Sequence, residues 1–194
     1  MTKPPDEAAL REAALAHLAR FAATEAALLR VLRRRVQRWT AQARADAADV
    51  ETIVEQRAAA LAAAADVVRR LAAAGAVDDA AFAASRAARL SRSGRSRHAI
   101  AVHLAARGVD AETTGKAIAA SGIDEFGAAI LFARRRRVGP FRPGASSPTS
   151  ATDEERRRDL AAFARAGFSG AIALRVLGLT PDEATEAVEQ LRRC

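Results

Sequence analysis

The chain has 194 residues, enough for one ordinary domain or a short series of small ones. Half of the residues are apolar, but only 4% are aromatic and tyrosine is absent, so alanine dominates and the composition favours helices over sheet. The formal net charge is +8, and all but Lys3 and Lys116 of the 31 basic residues are arginines, which indicates a polyanionic partner. The single cysteine, Cys194, excludes an internal disulfide and a thiolate metal cage.

The first predicted module, residues 6–76, contains no glycine or proline before Gly75 and is predicted to be almost wholly helical. Apolar residues recur along it at the spacing of amphipathic helices. Thr24 is predicted to cap a second helix. Thr52 and Glu55 form a candidate capping box inside what would otherwise be one long helix.

The second predicted module, residues 77–121, has clearer boundaries. Residues 78–79 are predicted to cap a first helix, which ends at the Ser-Arg-Ser-Gly sequence of residues 91–94. A second helix stops at Gly108, where a left-handed turn is accessible, and Asp110 is predicted to cap a third helix. Three short helices in about forty residues make a compact unit.

The third predicted module covers residues 122–194. A helix over residues 124–137 is predicted to lead into a loop at residues 138–152, which holds three prolines and two glycines. Capping boxes at residues 152–155 and 180–183 predict the starts of two further helices.

An internal repeat supports this modular organisation. The segment Leu104–Asp110 resembles Phe163–Ser169, which lies 59 positions later, and a fainter third copy spans Leu18–Leu32. Each copy has the pattern of a helix, a turn, a capping residue and a second helix, as helical-repeat proteins do. We therefore predict an all-α fold of three tandem three-helix modules in an extended or curved array, with a long helical insertion in the first module.

Several short strings resemble the RecX family over roughly residues 8–36 and 66–180. They are Val77–Ala83, Gly94–Arg97, Ala106–Val109, Glu155–Leu160, the Gly-Phe-Ser turn of Ala166–Ser169, and Ile172–Leu177. The chain departs from the family pattern at Ala27, where the family has an acidic residue, and at residues 39–65, which are an insertion.

The resemblance implies a regulatory protein built of tandem three-helix modules. RecX proteins bind along the RecA–DNA filament, restrain its ATPase and strand exchange, and alter its assembly in recombinational DNA repair and the SOS response. The expected partners are therefore the RecA filament and single- and double-stranded DNA, the latter bound through phosphates. The chain is expected to be cytoplasmic and without a membrane segment, because no signal peptide or long apolar run is present. It is also expected to be a monomer.

Charge placement supports a polyanionic partner independently of the family. Two stretches, residues 80–109 and 126–152, contain no carboxylate. Their arginines are the candidate RecA- or DNA-binding residues: Arg86, Arg89, Arg92, Arg95, Arg97 and Arg107 in the first, and Arg134, Arg135, Arg136, Arg137 and Arg142 in the second. The alternatives are a solvated basic face and, for residues 134–137, arginines that complement the dipole of a helix end.

Enzymatic interpretations find little support in the sequence. Gly115-Lys116 lacks the first glycine and the hydroxyl residue of a phosphate-binding loop, so we expect no nucleotide cofactor. His17, His98 and His103 are not spaced for a metal site or for catalysis, so we expect no metal. We therefore predict a protein that is not an enzyme.

Two alternatives belong to other classes of protein. Residues 97–118 loosely resemble a helix-turn-helix that reads DNA directly, although the second helix, residues 110–119, offers no arginine for guanine. A purely structural helical scaffold is the third possibility. Few aromatic residues accompany the arginines, and Phe82, Phe132, Phe163 and Phe168 are predicted to lie in the core rather than to stack on bases.

Overall fold

The computed structural model describes residues 3–46, 49–122 and 124–193, and all regular secondary structure in them is helical. Cys194, the single cysteine, lies outside these residues. The helices are α1 (Glu7–Leu18), α2 (Glu25–Ala45), α3 (Val50–Ala73), α4 (Asp79–Arg92), α5 (Arg97–Ala105), α6 (Ala111–Ala119), α7 (Glu125–Arg136), a short 3-10 helix (Gly139–Phe141), α8 (Asp153–Arg165), α9 (Gly170–Leu177) and α10 (Pro181–Arg193). The predicted all-α fold of tandem helical modules is confirmed.

The contacts divide the chain into two compact units, and the boundaries of the three predicted modules stay a prediction. The first unit comprises residues 1–82 and 107–109, and the second comprises residues 83–106 and 110–194. Helix α4 therefore begins in the first unit and continues in the second.

The first unit is held together by apolar side chains of α1, α2 and α3. Leu10, Leu28 and Leu32 are fully buried, and Val67 and Leu71 of α3 are nearly so. Burying one such leucine stabilises a fold by roughly 1.5–3 kcal/mol, so these few side chains account for much of the cohesion of an alanine-rich unit.

Helices α2 and α3 have 21 and 24 residues, whereas α5 and α6 have nine each. The predicted insertion, residues 39–65, falls on the end of α2 and the beginning of α3, apart from residues 47–48, which lie outside the described residues. Trp39, Ala43 and Ile53 form a separate small apolar cluster beyond the main core. Trp39 therefore anchors the far part of the α2–α3 pair.

The break between α2 and α3 differs from the prediction. Helix α3 begins at Val50, where the carboxylate of Asp49 accepts a hydrogen bond from the backbone N–H of Thr52 at 2.8 Å. The candidate capping box of Thr52 and Glu55 is therefore wrong, because the helix starts before it. The Thr52 hydroxyl instead donates to Asp49, since a carboxylate is the stronger acceptor at a helix start.

Three phenylalanines form the centre of the second unit. Phe132, Phe163 and Phe168 are buried, and their ring centroids lie 5.1–5.8 Å apart in tilted and edge-on arrangements. Such pairs contribute about 0.5–1.5 kcal/mol beyond the burial of their area. The core prediction is confirmed for these three residues, and Phe82 is half-buried.

The loop at residues 138–152 is fastened to α8 by a buried carboxylate. Asp159 is 7% exposed and accepts hydrogen bonds from the backbone N–H of Gly139, at 2.9 Å, and from the Arg142 guanidinium. Arg142 also forms an ion pair with Glu155 at 3.6 Å. The loop therefore has a fixed start although it carries little regular structure.

Candidate functional site

A cavity of about 670 Å³ in the second unit is lined by several arginines. It lies where the turn between α4 and α5 meets the C-terminal ends of α7 and α8. Its charged lining consists of Arg95, Arg135, Arg136 and Arg165, and we call this site the arginine cavity.

The four guanidinium groups of the arginine cavity are not neutralised. No carboxylate lines the cavity, and no ion pair involves any of the four arginines in the part of the chain that the structure describes. Burial lowers the pKa of Arg135, and the positive charges of Arg95 and Arg136 lower it further. These mutually repelling cations make the cavity a favourable place for an anion.

The floor of the arginine cavity is apolar. We use the word floor for the apolar part of the lining, which consists of Val138, Ala162, Ala166 and Phe132, the last only 4% exposed. The site thus combines four arginines, which we call its rim, with this small apolar floor.

The turn that carries Arg95 is held close to α7. Gly94 has a φ of +72°, and a Cβ built on it would lie 2.7 Å from the backbone nitrogen of Phe132. A hydrogen bond of 2.6 Å from the Arg135 guanidinium to the carbonyl oxygen of Ser93 ties the same turn to the end of α7. Only glycine permits this close approach, and it brings Arg95 alongside Arg135.

The start of α5 is fixed from two other elements. The Ser96 hydroxyl caps the helix by accepting from Ala99 N–H and donates to the carbonyl oxygen of Ala166 at 2.6 Å. The backbone N–H of Arg97 donates to the carboxylate of Glu125 at 3.0 Å. These bonds fix the α4–α5 turn against both helices that complete the arginine cavity.

The same contacts recur within the first unit. The Thr24 hydroxyl, which caps α2 as predicted, donates to the carbonyl oxygen of Arg107 at 2.6 Å. The backbone N–H of Glu25 donates to Asp79 at 2.9 Å, and Gly108 lies directly against Ala26. The residues before Gly108 and Gly167 therefore accept equivalent hydrogen bonds, which gives the sequence repeat a structural basis.

Three of the predicted binding arginines, Arg95, Arg135 and Arg136, line the arginine cavity. Three others have intramolecular partners. Arg86 donates to His103 Nε2 at 2.9 Å, Arg97 pairs with Glu125 at 3.6 Å, and Arg142 is bound to Asp159 and Glu155.

The remaining predicted arginines do not line the cavity. Arg89, Arg92 and Arg134 are exposed, and Arg137 is exposed at the end of α7 with a left-handed φ of +53°. Arg107 is half-buried in the first unit, where its carbonyl group accepts the bond from Thr24. A role for any of the predicted arginines in binding stays a prediction.

Sequence reasoning missed Arg165. The residue lies in the last turn of α8, a helix whose first turn is acidic. The sequence nevertheless carries a signal, because residues 160–181 also contain no carboxylate.

Among the described residues, no group of three histidine, cysteine, aspartate or glutamate side chains could hold a metal ion. No helix in the described part of the chain is long and apolar enough to cross a membrane. The exposed face of α6 presents Glu112 and Lys116, which pair with each other at 2.6 Å, and no arginine.

The fold and the cavity define an all-α helical-repeat protein with an anion-attracting site. A family model described as "RecX, second three-helix domain" matches residues 78–118. A protein named "Regulatory protein RecX" from Myxococcus xanthus (strain DK1622) is 40% identical over 174 residues, which cover 89% of this chain and 86% of that protein. Another of that name from Agrobacterium fabrum (strain C58) is 36% identical over 112 residues, covering 57% and 56%. The chain belongs to the RecX family.

Proposed function

We propose that this protein binds the RecA–DNA filament and inhibits its ATPase, strand exchange and assembly during recombinational DNA repair. The observation that carries the proposal is the arginine cavity in a chain whose relatives are named regulatory proteins. An inhibitor of a filament needs a surface for an anionic partner and no reaction centre of its own, and the cavity provides such a surface.

Inhibition requires only that the protein prefer one state of the filament. If one molecule contacts two neighbouring RecA protomers, it opposes any rearrangement between them that ATP turnover requires. A ligand shifts such an equilibrium only by its difference in affinity for the two states, and a hundredfold preference corresponds to about 2.7 kcal/mol. Contacts of a few arginines are sufficient for that difference.

The test is the ATPase rate of the cognate RecA on single-stranded DNA while the protein is titrated in at fixed salt. We expect suppression at ratios well below one molecule per protomer. The R95A/R165A variant, which removes two charges from the arginine cavity, is expected to require about tenfold more protein. The R33A/R34A variant loses the same charge from exposed positions of α2 and is expected to act as the unaltered protein does.

Two outcomes would contradict the proposal. Unchanged ATPase activity with filaments present would reject filament regulation and favour the helix-turn-helix interpretation, in which the protein binds duplex DNA directly. Equal weakening by both double variants would mean that overall charge matters and the arginine cavity does not.

A further inference from the structure

We infer that the arginine cavity binds an acidic peptide segment with an apolar side chain, supplied by the filament protein, rather than the phosphates of DNA. This inference rests on the proposed function and specifies the partner of the same site. The carboxylates of the segment lie against the rim, and its apolar side chain lies on the floor formed by Val138, Ala162 and Ala166.

The apolar floor favours an acidic peptide segment over the phosphates of DNA as the partner of the arginine cavity. A sugar–phosphate backbone is polar or charged on the face it offers to arginines, and phosphate contacts need no aliphatic surface beneath them. An acidic segment that carries a leucine or similar residue satisfies both parts of the lining, because burial of its apolar side chain adds to the attraction of the charges.

A base of single-stranded DNA fits the floor poorly. Proteins that bind single strands stack bases on exposed aromatic faces. The aromatic ring at this floor belongs to Phe132, which is 4% exposed because Phe163 and Phe168 pack against it with centroids at 5.1 and 5.4 Å. The ring is therefore too buried to stack on a base.

The size of the cavity agrees with a peptide segment. A volume of about 670 Å³ falls in the range of sites for small ligands, and it accommodates a few residues but not the convex surface of a duplex. The Arg135 guanidinium also donates a hydrogen bond to the Ser93 carbonyl oxygen, and this bond holds the group in place before a partner binds. This preorganisation lowers the entropic cost of binding.

The inference is tested with the full-length protein and a short fluorescein-labelled peptide of aspartate and glutamate with one central leucine. We expect the unaltered protein to bind this peptide and to bind its leucine-to-serine counterpart about tenfold more weakly by fluorescence anisotropy. The variant Ala162→Leu fills the floor and is expected to weaken binding of the leucine peptide about tenfold, with no change in affinity for an oligothymidylate. Ala164→Leu, on an exposed position of the same helix, is the matched control and is expected to change neither affinity.

Equal binding of the leucine and serine peptides, or no binding of either, would overturn the inference. So would a parallel loss of oligothymidylate and peptide binding in Ala162→Leu, because both ligands would then use the floor. The R95A/R165A variant provides a second measure, since phosphate contacts by these two arginines would reduce the salt dependence of duplex binding by about 0.9 each, and we expect no such reduction. Suppression of RecA ATPase by the unaltered protein tests the proposed function separately.

Discussion

The turn that carries Arg95 leads to a quantitative prediction, because Gly94 meets two independent constraints. Its φ of +72° costs any residue with a Cβ roughly 1–2 kcal/mol. A Cβ there would also lie 2.7 Å from the backbone nitrogen of Phe132 and 3.0 Å from the carbonyl oxygen of Ala128. Both atoms belong to the backbone of α7, so relief requires a shift of the helix, and overpacking of this kind costs about 1–3 kcal/mol more. We expect Gly94→Ala to lower the free energy of unfolding by about 2–5 kcal/mol.

Two other glycines provide matched controls. Gly122, in the same unit, has a φ of +82°, and Gly75 has the same φ of +72° as Gly94. A Cβ at either position would meet nothing within 4 Å, so alanine there costs only the backbone strain of roughly 1–2 kcal/mol. The difference between Gly94→Ala and these controls isolates the close approach of the turn to α7.

The assay is urea unfolding followed by circular dichroism of the helices, with the free energy taken from the midpoint and slope. Because the turn must move away from α7 in Gly94→Ala, the variant is also expected to suppress RecA ATPase less well under conditions where it is folded. Equal losses of stability in Gly94→Ala and Gly122→Ala would refute the argument, since they would show that the contact with the α7 backbone has no cost.

Three further predictions concern polar groups in the second unit. Asp159→Asn leaves the half-buried Arg142 guanidinium without its main counter-charge and is expected to lower the free energy of unfolding by about 3 kcal/mol, measured in urea. A loss well under 1 kcal/mol would show that the ion pair does not hold the loop. Ser96→Ala removes a helix cap and a buried hydrogen bond at 2.6 Å and is expected to cost about 2 kcal/mol in the same assay, so full stability would contradict both roles. Hydrogen bonds from the N–H and hydroxyl of Thr180 lower the pKa of Glu183 from its ordinary 4.5, so the carboxylate stabilises the fold above that pH and the effect is lost as the pH falls below it. Glu183→Gln is therefore expected to flatten the acid limb of the melting temperature against pH, and an unchanged limb would exclude this contribution.

Helix starts could be predicted from the sequence because their signals are local. Thr24, Asp110 and Thr152 each accept a hydrogen bond from the N–H three residues later, and a short polar residue before an apolar periodic segment is sufficient to show this. The start of α3 was misplaced because two capping signals compete within seven residues there. Asp49, rather than Thr52, caps the helix, and only the three-dimensional structure shows this.

The arginine cavity could be predicted only in part, because its members are distant in sequence. Stretches without carboxylates identify Arg95, Arg135 and Arg136, since lack of neighbouring acids is a local property. The absence of carboxylates nearby in sequence does not show whether an acid from another helix pairs with an arginine. Arg142 has no carboxylate nearby in sequence, yet its partner Asp159 comes from the next helix, 17 positions away.

The charge of the cavity follows from how each helix distributes its ionised residues. The first turns of α7 and α8 contain carboxylates, and their last turns contain arginines, where the helix dipole favours cations. In α7 and α8 this places Asp124 and Glu155 at one end and Arg135 and Arg165 at the other.

These helices have 12 and 13 residues, so the acidic and basic ends of each are about 18 Å apart, more than twice the screening length of about 8 Å in physiological salt. Because the C-terminal ends of both helices meet at one cavity, their arginines come together. Asp159, the carboxylate of α8 that is nearest to that end in sequence, is bound to Arg142 and to the backbone N–H of Gly139 instead. A chain with 23 acidic residues can thus keep an uncompensated cationic site. A new acid at the basic end of α8 is therefore expected to matter more than its single charge suggests. We expect Ala162→Glu, which places a carboxylate among the cavity arginines, to abolish peptide binding although the net charge changes by only one.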